Sequence, residues 1–193
     1  MVKKPLPTGE EPPRGYETLV RLQTAETLKV NLVTYTQLAR TEKTAIENLR
    51  SRALSNIGAY IGLSNAPMTF EQEVQLIDGR ANSDKMLARG YFGNMLAGYA
   101  LIVLGWPEPS YWLIQHMIID PTRRNLGIGT AILDNIERYA LESEVDASSI
   151  LAVPIQHSGK DFWKSHGFTA EAFRQHIKVA NIDHEIVVYR KEL

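Results

Sequence analysis

Arg124-Asn125-Leu126-Gly127-Ile128-Gly129-Thr130 is the stretch whose residue types and spacing could do chemistry. An apolar run, Tyr111 to Ile119, leads into it through Asp120-Pro121. Beyond it Ile128, Ile132, Leu133, Ile136 and Tyr139 mark one face of a helix. The first turn of such a helix offers backbone N–H groups without intrahelical partners, and the macrodipole makes that end positive. Phosphate groups bind well there. Glycine at 127 and 129 lets a ligand approach the backbone, since no Cβ intervenes. Arg124 adds a charged donor for a phosphate oxygen. The segment therefore suits a pyrophosphate, although a tight strand-to-helix turn with packing glycines fits the same spacing. Two other phosphate motifs fail. There is no G-x-x-x-x-G-K-[ST] loop, and G-x-G-x-x-G would need glycine where Ile132 stands.

The elements that must position this loop can be read on either side of it. Tyr16 to Leu22 alternates weakly, as a first strand would. Thr24 to Leu63 has helical spacing in two stretches, with a break near Arg40 to Thr44, Thr41 or Thr44 as an N-cap, and Asn65-Ala66-Pro67 as the stop. A short helix is expected over 70–78, capped by Thr69. Gly93-Asn94 joins two β-prone runs, Met86 to Phe92 and Met95 to Leu104, as a hairpin would. Gly105 to Pro109 forms a second turn, and Tyr111 to Ile119 a central strand apolar on both faces. Ser149 to Val153 is a strand ended by Pro154. Lys160 to His166 is a short helix stopped by Gly167, and Glu185 to Tyr189 a closing strand. The order predicts an α/β layered fold, α+β in character, with a mixed sheet.

Composition bounds the reading. A chain of 193 residues suits one domain, here 16–193, burying roughly 70% of its unfolded surface. The lead-in, 1–15, holds Pro5, Pro7, Pro12 and Pro13 and is expected to be flexible. No apolar run follows Lys3 and Lys4, so no signal peptide is expected, and Met95 to Trp106 is too short to span a membrane. A net charge of −1 gives no field for nucleic acid or anionic membrane. The absence of cysteine removes disulfides, thiolate metal sites and cysteine nucleophiles, and fits a cytoplasmic protein. His157, His166, His176 and His184 lack metal-site spacing, so no metal is expected. Asp183, His184 and Glu185 read as a solvated turn.

Ile119-Asp120-Pro121-Thr122-Arg123-Arg124-Asn125-Leu126-Gly127-Ile128-Gly129 resembles the signature of the GNAT superfamily of acyl-CoA-dependent N-acetyltransferases. Downstream, Phe162-Trp163-Lys164-Ser165-His166-Gly167-Phe168 resembles the F-[YW]-x-x-x-G-F of that family's last helix and following strand. One helix and one strand lie between, as the family requires, and the likeness covers most of the chain. The resemblance implies a GNAT fold, a mostly antiparallel mixed sheet with helices on both faces, and acetyl-CoA as acyl donor. Arg124, Asn125, Leu126, Gly127, Ile128, Gly129 and Thr130 would then cradle the coenzyme A pyrophosphate. Met117, Ile118 and Ile119 would meet the pantetheine arm through the main chain, and Trp163 would lie beside the coenzyme.

Several roles stay open within this resemblance. Many relatives place a tyrosine acid where Trp163 stands, and tryptophan cannot do that job. Gln156 occupies a position that many relatives fill with asparagine, with Ser158 nearby, and either could replace that polar contact. Strict alternation puts Tyr111, Leu113, Gln115, Met117 and Ile119 on one face of the central strand, where relatives carry a glutamate or histidine base. Neither Leu113 nor Gln115 is a useful base. His116 is chemically suited but falls on the other face with Trp112, Ile114 and Ile118, as a buried, hydrogen-bonded histidine would. The acceptor is a small-molecule or peptide amine, set in this fold by Leu28 to Leu63 and Phe173 to Glu185, and a homodimer is left open. Two rival readings share the fold: an acyl-CoA sensor without turnover, and a transferase acting on aminoacyl-tRNA.

Overall fold

The computed structural model describes residues 17–21, 27–53, 69–76, 84–143, 147–153, 157–179 and 182–193. The lead-in, the Asn65-Ala66-Pro67 stop, Pro154 and Gln156 lie outside the described residues. One sheet organises the chain: β1 (Glu17–Arg21), β2 (Thr27–Thr34), β3 (Lys85–Phe92), β4 (Met95–Leu104), β5 (Tyr111–Ile119), β6 (Ser149–Ala152), β7 (Thr169–Val179) and β8 (Ile182–Glu192). Its order is β1-β2-β3-β4-β5-β6-β8-β7. The β5–β6 pair is parallel and the others are antiparallel, so the sheet is mixed as predicted.

Side-chain alternation along β4 sorts the helices onto two faces. Ala100, Ile102 and Leu104 face α3 (Ile128–Glu142), packing with Ile128, Ile132, Leu133 and Ile136. Tyr99 and Leu101 face α1 (Arg40–Ala53) and α2 (Phe70–Leu76), packing with Ile46, Leu49, Phe70 and Val74. α4 (His157–Ser165) sends Trp163 into the first cluster. Thr69 caps α2 as expected: its Oγ1 accepts from the Gln72 N–H at 3.2 Å, and Gln72 Oε1 accepts from the Thr69 N–H at 2.9 Å.

Three expectations need correction. The first half of the 24–63 segment is strand β2, not helix. Leu28, Val30 and Leu32 are buried on one side of it, and Leu28 to Thr34 pair with Phe92 to Met86. The spacing of Leu28, Leu32 and Tyr35 also suits a helix, but the β-branched Thr27, Val30, Val33 and Thr34 suit a strand with β3 beside it. Second, neither Thr41 nor Thr44 caps α1. The helix starts earlier, and Glu42 Oε2 accepts from the Ala39 N–H at 2.8 Å. Third, Asp183 to Glu185 are not a turn. They lie within β8, paired with Lys178, Ile177 and His176.

Candidate functional site

The loop that leaves β5 is held by Asp120. Its N–H donates to the Ala97 carbonyl at 2.9 Å. Its carboxylate Oδ1 accepts from the Thr122 N–H at 3.0 Å and the Thr122 hydroxyl at 2.7 Å. Its Oδ2 accepts from Arg52 of α1 at 2.9 Å. Burial opposes ionisation of this carboxyl, but the Thr122 bonds and the Arg52 guanidinium outweigh it and hold it below the usual carboxylate range. Pro121–Arg123 then form a single 3-10 turn.

Two left-handed residues aim the rest of the loop. Asn125 has φ 64° and Gly127 φ 82°. Asparagine tolerates that region through its short polar side chain, a cue to the turn that the glycine spacing alone does not carry. Gly127 is the N-cap of α3 and brings no side-chain acceptor to the first turn. The N–H groups there are left to solvent or a ligand. Arg124, Asn125 and Gly127 are exposed, while Leu126, Gly129 and Thr130 are half-buried. Ile128 is buried in the α3 core, so only its backbone can serve a ligand. Arg123 lies over the Phe92 ring at 4.9 Å.

The structure gives Gly129 a second reason to be glycine. A Cβ there would come within 3.2 Å of the Phe162 ring and 3.7 Å of Met117 Sδ. Phe162, the first residue of the downstream motif, thus packs on the first turn of α3. His166 joins it, with Nε2 3.0 Å from the Thr130 hydroxyl. Trp163 itself is buried, with ring centroids 5.1 Å from Phe162 and 5.0 Å from Phe168. Sequence reasoning assigns neither Phe162 nor His166 to the site. Their places beside Trp163 on a short helix, one residue before it and three after, are the available signal.

Strand β5 does not alternate strictly. His116 pairs with Leu101 and Ile114 with Ile102, so Gln115 is the extra residue of a β-bulge. The bulge reverses the side-chain phase. Met117 and Ile119 pack on the α3 side with Trp112 and Ile114, while Ile118 and His116 lie on the α1–α2 side. Leu113, in a satellite cluster with Val103, shares that second face. The expectation that His116 stands opposite Leu113 is therefore wrong, and Ile118 points away from its neighbours 117 and 119. His116 Nε2 lies 3.0 Å from the Tyr99 hydroxyl, and both residues are buried.

Among the described residues, the last β5–β6 pair lies just before the bulge. β5 and β6 pair from Tyr111–Ser149 to Ile114–Ala152, and Val153 still donates to the Ile114 carbonyl at 3.3 Å. The arrangement brings together Met117, Ile119, the 124–130 loop, Phe162 and His166. Among the described residues no group of three His, Cys, Asp or Glu side chains could hold a metal ion, and no helix is long and apolar enough to cross a membrane.

Comparison with known proteins bears on this arrangement. Residues 45–168 match the family model described as the acetyltransferase (GNAT) family. No curated protein matches the chain in sequence. Among solved structures, the GNAT domain of S. lividans PAT superposes with a TM-score of 0.67 at 14% identity, over 95% of this chain and 100% of that one. An acetyltransferase from Thermus thermophilus gives 0.59 at 18% identity, over 85% and 97%. The ribosomal-protein-S18-alanine N-acetyltransferase from Escherichia coli gives 0.58 at 12%, over 84% and 93%. These likenesses carry the fold, and the family model covers most of the chain between α1 and Phe168, including both motifs. The chain belongs to the GNAT acetyltransferase family.

Proposed function

We propose that the chain transfers the acetyl group of acetyl-CoA to an amine by direct attack on the thioester. The observation that carries this is the uncapped first turn of α3, set beside the last residues of β5, which follow its last pair with β6 among the described residues. The loop from Arg124 to Thr130 would hold the pyrophosphate through backbone N–H groups and the Arg124 charge. Main-chain groups of Met117 and Ile119, beyond the last described β5–β6 pair, would hold the pantetheine arm. The bulge at Gln115 takes backbone groups out of the ladder near where the thioester would lie, and an N–H there could polarise its carbonyl.

The amine nitrogen bonds to the acyl carbon, the carbon–sulfur bond breaks, and the ammonium proton passes to solvent or a base. With no cysteine in the chain, the acyl group has no thiol to rest on, and none is needed. Trp163 is buried and has no acidic proton to give a departing thiolate. A thiol of pKa roughly 8.5 departs without one. Much of the rate gain would come from holding amine and thioester in line. The α1–α2 side of the sheet is where the acceptor would enter, and the lack of cysteine fits action in the cytoplasm.

A panel of amines (polyamines, aminoglycosides, amino acids and peptides with free N-termini) tests this by release of free thiol from acetyl-CoA. Acceptor-dependent release supports the transferase. Tight coenzyme A binding with no release on any amine would favour a sensor instead.

A further inference from the structure

We propose that His166 sets the direction of the Thr130 hydroxyl, so that protonating its imidazole strengthens binding of a pyrophosphate at the loop. The proposal rests on the acyl-CoA reading of that loop. His166 Nδ1 lies 2.7 Å from the Phe162 carbonyl oxygen. A carbonyl only accepts, so Nδ1 carries the ring proton. Ser165 Oγ, 3.2 Å from the same nitrogen, itself donates to that carbonyl at 2.8 Å. In the neutral ring Nε2 is then a bare acceptor, and the Thr130 hydroxyl 3.0 Å away must donate to it.

Protonation reverses that bond. Both ring nitrogens become donors, Thr130 Oγ1 must accept, and its own O–H is released. Thr130 is the third residue of α3, in the turn whose cap supplies no side-chain acceptor. The released hydroxyl and the new positive charge both favour an anion there. The ring has little freedom to evade the exchange. It is tilted on Phe162 at a centroid distance of 4.3 Å, and Phe162 is in turn wedged against Gly129.

Among the described residues, the hydrogen-bond and ring partners of the imidazole carry no charge: Thr130, Ser165 and Phe162. The charged groups on the packed elements include Asp134, one turn beyond Thr130 on α3 and exposed, Lys160, Asp161 and Lys164 on α4, and Lys191 of β8, which is bonded to Glu137 of α3. Imidazole is the side chain whose proton exchange falls near neutral pH.

The test is titration calorimetry with dephospho-coenzyme A between about pH 5.5 and 8. This probe keeps the pyrophosphate but lacks the phosphomonoester that would itself titrate in that range. The wild-type chain should bind roughly five- to tenfold tighter at the acid end, the net scale of one hydrogen bond at a solvent-exposed site. His166→Gln and Thr130→Val should each flatten that dependence. A flat wild-type profile, or one that Thr130→Val leaves intact, overturns the proposal. Wild-type protein alone gives a second readout, the NMR titration midpoint of the His166 ring. Saturation with dephospho-coenzyme A should raise it, because the protonated form binds better, and an unmoved midpoint overturns the proposal. Failure of both coenzyme A and the probe to bind at any pH would instead remove the acyl-CoA reading of the loop.

Discussion

His116 and Tyr99 face each other across neighbouring strands, with Nε2 3.0 Å from the phenolic oxygen and the rings edge to face at 5.3 Å. Phe70 of α2 packs edge to face against Tyr99 at 5.8 Å. The pair thus fastens the sheet to α2 under the face where the acceptor would enter. A buried, bonded pair of this kind acts on stability before it acts on rate. His116→Leu should cost about 1–3 kcal/mol by leaving the Tyr99 hydroxyl without this partner. The kcat of the folded variant should fall less than about a hundredfold. A larger loss, with a normal melting curve and a missing limb in the pH–rate profile, would make His116 the general base.

Asp120 gives the fold a pH dependence with a definite sign. Its folded pKa lies below the unfolded value, first because the Thr122 bonds and then because Arg52 more than offset its burial. The resulting stabilisation is complete above about pH 4, the unfolded aspartate value, and is lost as pH falls through the lower folded value. Asp120→Asn should remove that acid-side loss and cost about 1–3 kcal/mol at pH 7. Arg52 is half exposed, so Arg52→Ala should cost less than about 1 kcal/mol. Denaturant titrations from about pH 2.5 to 7 measure both.

Reading these elements from sequence worked where one physical cue dominated. The Gly93-Asn94 hairpin, the Thr69 cap and the apolar face of α3 each had a local signature, and each lies where it was expected. It failed where two periods fitted the same residues, as in β2, whose strand character depends on β3 alongside. The bulge at Gln115 left no mark in residue types, because its cause is the pairing of β4 with β5. A strict alternation therefore held for Tyr111 to Ile114 and reversed for His116 to Ile119. At the loop, Gly127 and Gly129 both read as room for a ligand. Gly127 is needed for its left-handed backbone, and Gly129 for the edge of Phe162, a residue distant in the chain.

Those two glycines should therefore fail differently. Gly127→Ala forces a Cβ into left-handed backbone at a cost of about 1–2 kcal/mol. Gly129→Ala presses on Phe162 and should disturb the Phe162–His166 contact before it touches a ligand. Gly129→Glu brings a negative charge to the cradle and should abolish coenzyme A binding. Arg124→Ala, at an exposed position, should weaken it by about 1 kcal/mol, or roughly fivefold. Calorimetry with coenzyme A, paired with thermal melts, separates these effects.

Trp163 is a core residue by its surroundings. Trp163→Ala should destabilise by about 3–5 kcal/mol. Trp163→Phe keeps most of the packing, so it should raise the KM for acetyl-CoA and lower kcat by less than about tenfold, or 1.4 kcal/mol. Steady-state rates from about pH 6 to 9 check this. A folded Trp163→Phe protein that lost more than a hundredfold in kcat would show that the indole orders the reacting groups.

The Arg52–Asp120 bond joins residues 68 positions apart, the last turn of α1 and the first residue after β5. On the proposed function, it would tie the acceptor side of the molecule to the coenzyme loop. A displacement of α1 that breaks this bond also loosens the turn that presents Arg124, and an anchored coenzyme holds α1 in place by the same link. Coupling of that kind is reciprocal. Each substrate should therefore find a better-prepared partner site once the other is bound, and the double-reciprocal rate plots of the two substrates should intersect above the horizontal axis rather than on it.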